Sequence, residues 1–322
     1  MNKFYKNCLV FTLLILGFCN CSSKNTIEKE PPIEQVEVFN IKLSDISARD
    51  PFILADPQTK MYYLHKSQGN WIQVYKSKDL KMWKDEGESF RKKEDYWGKQ
   101  SFWAPDEYYY KGKYYLFITS SNEAIKRGSS ILVSDNAMNK FEPLVNAPAT
   151  PADWMSLDAS LYVDEKNVPW LIYCHEWIQV TDGEVVAQQL SEDLKTTVGD
   201  PVVLFKASDA AWVGPHVSDG KSNYVTDASF IFRMDDGKLA LTWSSMDKNG
   251  KYCIGVCYSE NGVFGPWVHD AEPLNNDNGG HAMLFKDFDN NLMISYHSPN
   301  DGPAKVMIKP VKTENGKLKI EY

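Results

Sequence analysis

Cysteine is scarce where a disulfide scaffold would need it. Of the six in 322 residues, Cys8, Cys19 and Cys21 crowd the N-terminus, and only Cys174, Cys253 and Cys257 lie beyond it. An odd, scattered set is no disulfide framework. Cys253 and Cys257 fall on one face of a single strand, about 13 Å apart along it, too far to bond each other, so all three are expected as small buried side chains. Positive charge is also in deficit, with 35 Lys and Arg against 43 Asp and Glu, a net charge of −8. That excludes the basic face by which nucleic acid or an anionic membrane is bound and leaves a neutral or weakly charged ligand. The one apolar run, Leu9 to Phe18, is far below the roughly 20 residues a membrane-spanning helix needs. No segment sustains a helical period.

What stands at the N-terminus reads as an export signal. Lys3 and Lys6 precede the apolar run, and Cys19-Asn20-Cys21-Ser22-Ser23 follows it. A Cys directly after such a run resembles a bacterial lipoprotein signal, with Cys21 preferred to Cys19 as the lipidated residue. The expected organisation is a signal peptide over 1–21, a polar tether over 22–40 containing Pro31-Pro32, and one domain over 41–322. The expected location is exported and lipid-anchored at a bacterial membrane, periplasmic or cell-surface, with the anchor as the only membrane contact.

Aromatics are abundant, with 10 Trp, 17 Tyr and 15 Phe, and they fall into a repeat. One phrase recurs five times at the head of an apolar strand: Arg49-Asp50-Pro51-Phe52, Trp103-Ala104-Pro105-Asp106, Leu157-Asp158-Ala159-Ser160, Thr226-Asp227-Ala228-Ser229 and Gly280-His281-Ala282-Met283. Taken at 50, 104, 158, 227 and 281, the intervals are 54, 54, 69 and 54 residues, a fixed period with about 15 residues inserted in the third unit. After each phrase come two or three strand-like runs bounded by turn residues, as in Met61 to His65 and Trp71 to Tyr75 of the first unit. Several third strands close on a Ser followed by an acidic or amide residue, at Ser77, Ser134, Ser191 and Ser259, which reads as turn chemistry. Five small antiparallel sheets in series predict an all-β, five-bladed β-propeller.

In a propeller the first strand of each blade lines the axis, so Asp50, Asp158, Asp227 and His281 should converge in one funnel. His65, Glu176 and His297, at or just past the ends of second strands, should form its rim. An Asp at a strand head is ordinarily a turn cap; three in one repeat position point to shared chemistry. Carboxyl groups around an aromatic-rich pocket are what glycoside hydrolysis requires: an acid for the leaving oxygen, a base for water and a nearby charge to tune the acid.

Ala48-Arg49-Asp50-Pro51, Trp103-Ala104-Pro105-Asp106, the Asp158 phrase, Gly265-Pro266-Trp267 and Gly279-Gly280-His281 together resemble glycoside hydrolase family 43 over essentially the whole domain. The resemblance implies an inverting five-bladed propeller glycosidase acting on arabinofuranosides, xylosides or related galactose linkages of plant-type oligo- and polysaccharides. Position by position, it implies that Asp50 is the general base and Asp158 the Asp that orients the acid and raises its pKa. The family's acid is a Glu opening the fourth blade; here Asp227, one methylene shorter, stands in Asp227-Ala228-Ser229. Glu176, in His175-Glu176-Trp177, is the alternative acid. An inverting pair needs carboxyls about 6.5–9.5 Å apart.

Trp103, Trp154 and Trp177 are expected to stack on sugar rings, with His175 and His297 as polar substrate contacts. His281 matches a family His near a calcium on the propeller axis, although a hard cation prefers oxygen ligands and an axial histidine satisfied by protein groups is the alternative. No cofactor is expected to be required. The leading expectation is an exo-acting enzyme removing a furanosyl or xylosyl unit, foremost an α-L-arabinofuranoside. The alternative is a propeller that binds glycan without cleaving it.

Overall fold

Turn residues cut the chain into strands before packing does. Asp56 accepts hydrogen bonds from the backbone N–H groups of Gln58 and Thr59, both at 3.1 Å, and so ends the first strand. The hydroxyls of Ser77, Ser134, Ser191 and Ser259 accept from N–H groups two to five residues on, the turn role expected of them. The structure, a computed structural model, describes residues 37–322. The expected signal peptide, most of the expected tether, Cys19 and Cys21 lie outside the described residues.

Five antiparallel sheets follow in chain order. Blade 1 has Ile53–Asp56, Met61–Ser67, Trp71–Ser77 and Met82–Arg91, with Ile41–Lys42 paired along its outer edge. Blade 2 has Gln100–Tyr110, Lys113–Ser121, Gly128–Ser134 and Glu142–Pro143, and blade 3 has Ser156–Val163, Pro169–His175, Glu184–Leu190 and Thr197–Lys206. Blade 4 has Asp227–Arg233, Leu239–Met246, Tyr252–Ser259 and Val268–His269, and blade 5 has Gly280–Lys286, Leu292–Ser298, Lys305–Glu314 and Lys317–Ile320. Successive innermost strands adjoin one another, which makes the arrangement a five-bladed β-propeller. The outermost strands carry no strong sequence pattern because one edge faces water.

The apolar core lies between blades. Phe102 and Tyr96 fill the junction of blades 1 and 2, Phe117 and Tyr173 that of 2 and 3, Trp243 with Trp212 that of 3 and 4, and Trp83 and Tyr296 belong to a cluster spanning blades 4, 5 and 1. Cys174, Cys253 and Cys257 are free and buried in this core.

Each junction also carries a hydroxyl-to-backbone bond near the axis. Ser67 donates to the Phe102 carbonyl, Asp158 N–H donates to Thr119 Oγ1 at 2.9 Å, and Ser160 donates to the Ser229 carbonyl at 2.6 Å. Thr242 reaches the Ala282 carbonyl at 3.0 Å and Ser295 the Pro51 carbonyl at 2.9 Å.

The head of each inner strand bulges. In blades 2 to 5 the pairing skips two residues, between Trp103 and Asp106, Leu157 and Ser160, Asp227 and Phe230, and Gly280 and Met283. The first skipped residue is left-handed: Ala104 (φ 46°), Asp158 (55°), Ala228 (57°) and His281 (57°), and Asp50 has the same conformation at 52°. Each such non-glycine residue costs about 1–3 kcal/mol, and the bulge turns its side chain off the sheet toward the axis. This corrects the repeat: the fourth-blade equivalent of Asp50 is Ala228, and Asp227 sits one residue earlier, in register with Trp103, Leu157 and Gly280. The sequence alignment slipped because Asp-Ala-Ser recurs at 158 and 227 without a gap to mark the offset. His65 is corrected as well. It is 1% exposed and pairs with Glu107 at 3.4 Å, because its strand continues to Ser67 and carries the rim two residues further.

The insertion in the third unit is a 3₁₀ turn, Ala207–Asp209, and a hairpin, His216–Ser218 with Lys221–Asn223. It docks on the segment after blade 3's second strand: Gly183 N–H donates to the Tyr224 carbonyl at 2.8 Å and Tyr224 N–H to the Thr181 carbonyl at 2.9 Å. Trp212 from the insertion packs on Trp243, with ring centroids 5.4 Å apart.

Gly255 is where these two indoles close. A Cβ there would lie 2.6 Å from Trp212 Cζ2 and 2.8 Å from Trp243 Nε1. Gly255→Ala is expected to destabilise the domain by about 1–3 kcal/mol through overpacking, read as a lower urea midpoint with unchanged slope; an unchanged midpoint would contradict this packing.

Candidate active site

The strained strand heads aim Asp50, Asp158 and His281 into one end of the ring, where a cavity of about 680 Å³ is also lined by Asp227, Glu176, Tyr252, Trp103, Arg127 and Trp177. His281 is the electrostatic centre. Its Nδ1 lies 3.1 Å from Asp50 Oδ1 and 3.7 Å from Asp158 Oδ2, and its backbone N–H donates to Ser244 Oγ at 2.9 Å. Burial alone would depress the imidazole, but Asp50 and Asp158 outweigh it and lift its pKa to about 10.

Asp50 sits in the opposite balance. Burial would raise its carboxyl, yet His281, His297 and Arg49 hold it well below the usual carboxylate range. Its backbone N–H donates to His297 Nδ1 at 3.2 Å, which assigns the proton of that ring to Nε2, 3.3 Å from Asn300 Oδ1. His297 is accordingly neutral, its pKa lowered to about 4 by burial first, with His281 and Arg49 opposing the pull of Asp50. Arg49 is fixed on the Asn300 carbonyl at 2.7 Å. The general feature is a carboxylate held ionised at the floor of a cavity.

Asp158 and Asp227 go the other way. Burial raises both, and the Asp50 charge adds to it. Asp158 Oδ2 accepts the Ala228 N–H at 3.1 Å, so its side chain grips the backbone next to Asp227. Asp227 Oδ2 accepts the Tyr252 hydroxyl at 3.1 Å.

Glu176 lies just past the strand Pro169–His175 and is 3% exposed. One of its oxygens is paired with Arg127, whose guanidinium carbon lies 5.0 Å over the Trp103 ring.

The other expected contacts divide. Trp103 and Trp177 line the cavity; Trp154, His175 and His297 do not. His175 is held at 3.0 Å by both Glu184 and Gln179 and is stacked under Trp154 at 4.0 Å, so this pair braces the short helix Trp177–Val180 from behind. His297 is 0% exposed and supports Asp50.

Sequence reasoning missed Arg127, Tyr252 and Asp106. Arg127 and Tyr252 come from loop and third-strand positions that the repeated phrase does not cover. Asp106, two residues past Ala104, is buried beneath the site with its pKa raised by burial first; its place in the repeated phrase was its only signal.

His281 Nδ1 is engaged by two carboxylates, the contacts of an axial histidine held by protein groups, and among the described residues no group of three or more His, Cys, Asp or Glu is arranged to hold a metal.

Against known proteins, the family model "Glycosyl hydrolases family 43" matches residues 43–317. No protein with a curated description matches the chain. Among solved structures, an endo-arabinase from Bacteroides thetaiotaomicron VPI-5482 is 56% identical with a TM-score of 0.86, over 87% of this chain and 100% of that one. A thermostable family-43 glycoside hydrolase, 21% identical over 88% of this chain and 96% of its own, has a TM-score of 0.75. An exo-1,5-α-L-arabinanase from a bovine ruminal metagenomic library, 20% identical over 86% and 97%, has a TM-score of 0.65. At those lower identities the likeness speaks to the fold.

The His281 shift has a definite sign. Its folded pKa of about 10 exceeds the ordinary 6.5, so the stability it contributes is complete below about pH 6.5 and is lost as pH rises through about 10. His281→Gln is therefore expected to lower the melting temperature much more at pH 6 than at pH 10.5, by calorimetry at matched ionic strength. An equal loss at both would mean the ring acts only by packing.

Proposed function

The chain belongs to glycosyl hydrolase family 43, and from that premise we propose that it hydrolyses arabinan, cutting α-L-arabinofuranosyl linkages within the chain by single displacement with inversion. The chemistry rests on one observation: Asp50 and Asp227 line the same cavity with their pKa values pushed apart, one below and one above the ordinary range. The substrate rests on the 56% identity to an endo-arabinase across that protein's whole length. That identity also favours internal cleavage over the exo action expected from the sequence.

Asp50 is in the charge state a general base needs. Its Oδ1 is held by His281, leaving a carboxylate face to orient and deprotonate a water for attack on the anomeric carbon. Asp227 is the acid. Burial raises its carboxyl, the direction a proton donor needs, and the Tyr252 hydroxyl fixes Oδ2 so that one oxygen is presented to the leaving sugar. Asp158 is a positioning residue: through the Ala228 N–H it sets the backbone from which Asp227 projects. The proton given by Asp227 and the one taken by Asp50 balance the addition of water across the bond.

We also retain the export reading. A lipoprotein-type signal over 1–21 and a tether to about 40 would hold this domain at the membrane, where released sugars stay near the cell.

Linear arabinan and 4-nitrophenyl α-L-arabinofuranoside distinguish the roles. With wild type, early products from arabinan should be mixed oligosaccharides with a rapid fall in viscosity; arabinose alone as the early product would restore the exo reading. Asp50→Ala should lose about 10³-fold or more on the polymer, within the range for a general base. Asp227→Ala should lose comparably on the polymer but far less on any 4-nitrophenyl glycoside the wild type cleaves, since that leaving group needs no protonation. Oligosaccharide binding without turnover by the wild type would instead indicate a non-catalytic glycan-binding propeller.

A further inference from the structure

We propose that Trp103, Arg127 and Glu176 form a sugar subsite beside the carboxyl cluster, in which Glu176 accepts a substrate hydroxyl and Arg127 donates to the same ring. The inference rests on the arabinan reading and goes beyond it by assigning how a unit of the chain away from the acid is held.

Glu176 carries the argument. Its side chain is 4% exposed, lines the cavity and pairs through Oε1 with Arg127. Its other oxygen, Oε2, is buried with no hydrogen-bond partner in the protein. A buried carboxylate oxygen without a donor is costly, and such atoms are rarely left so. Glu176 is one of the residues lining the cavity, and a hydroxyl of a bound sugar is the donor assigned to it here.

Arg127 is placed to complete the contact. The guanidinium has five N–H donors in a rigid fork, only part of which one Glu176 oxygen can occupy. The guanidinium carbon lies 5.0 Å over the Trp103 ring, while Trp103 remains 39% exposed in the same cavity. An acceptor, a forked donor and an open indole face answer the hydroxyls and the C–H face of one neutral sugar ring. The ion pair also argues against Glu176 as the proton donor, since a carboxylate bound to a guanidinium serves as a charged acceptor.

The three residues come from two neighbouring blades. Trp103 comes from the bulge of blade 2, Arg127 from the loop before that blade's third strand, and Glu176 from the end of blade 3's second strand. It therefore spans one blade junction, on the side of the cavity away from the Arg49–Asn300 contact.

The test is calorimetric binding of linear α-1,5-arabino-oligosaccharides to Asp50→Ala protein, which binds without consuming them. Trp103→Ala, Arg127→Ala and Glu176→Gln are added singly, with melting curves to confirm folding. Each is expected to weaken binding about tenfold or more, the size of one charged hydrogen bond or one stacked ring. Should a variant not fold, Arg127→Lys, which keeps the charge and loses the fork, supplies the same reading.

Undiminished affinity in the folded variants would overturn the subsite and leave the arabinan reading standing. Failure of the Asp50→Ala parent itself to bind any arabino-oligosaccharide would overturn both. A Glu176→Gln enzyme that loses turnover of oligosaccharide about 100-fold or more while keeping full turnover of the 4-nitrophenyl glycoside would make Glu176 the acid and overturn the role assigned here.

Discussion

A carboxylate at the axis of a closed ring of sheets has lost much of its water, and a cation built in beside it offsets that loss. His281 provides that cation, with one imidazolium nitrogen facing Asp50 and Asp158. The three groups are mutually dependent. Without the carboxylates the buried imidazole would be neutral, and without the imidazolium two or three buried carboxyls would compete for protons. What the ring achieves is asymmetry: Asp50, paired with the cation at 3.1 Å, is held well below the ordinary carboxylate range, while burial and the charge of Asp50 push Asp227 above it. Separating the protonation of like groups within one cavity is the condition for acid and base to work side by side.

That asymmetry is held by backbone geometry. Five left-handed residues at the strand heads are each unfavourable alone, and they persist because hydroxyl-to-backbone bonds at every blade junction pin the adjacent strands. Some of these bonds act directly on the site, since Asp158 is anchored by Thr119 of blade 2 and His281 by Ser244 of blade 4. The blades thus supply chemistry to their neighbours as well as to the axis, and the functional groups sit on rigid strands where rotamer freedom is small.

The fold was largely legible because a repeated phrase is a statement about topology: five copies at a near-constant interval specify five sheets. The convergence of Asp50, Asp158 and His281 followed from the same phrase. Its limits are equally physical. Asp227 was found at the right end of the ring but in the wrong register, because a one-residue slip leaves Asp-Ala-Ser looking unchanged while moving the left-handed residue to Ala228. Arg127 and Tyr252 were invisible because they reach the cavity from positions at or just before the start of third strands, which the repeated phrase does not cover. His175 looked like a rim residue by its place beside Glu176, and Trp154 by its nearness to Asp158, yet the two rings stack on each other and His175 bonds Gln179 of the short helix from behind.

The way the ring closes has a consequence for durability. Every sheet is made of consecutive strands, and none is shared between blades 1 and 5. Across that seam there is one isolated antiparallel bridge, Ser47 with Lys305, together with side-chain bonds from Ser47, Arg49 and Ser295 and the apolar cluster behind them. Asp50 stands on the seam itself, with Arg49 beside it on one lip and His297 and Asn300 on the other. A small parting there would separate Asp50 from the groups that keep it ionised while leaving all five sheets intact. The integrity of this seam and the charge state of Asp50 are therefore one and the same structural requirement.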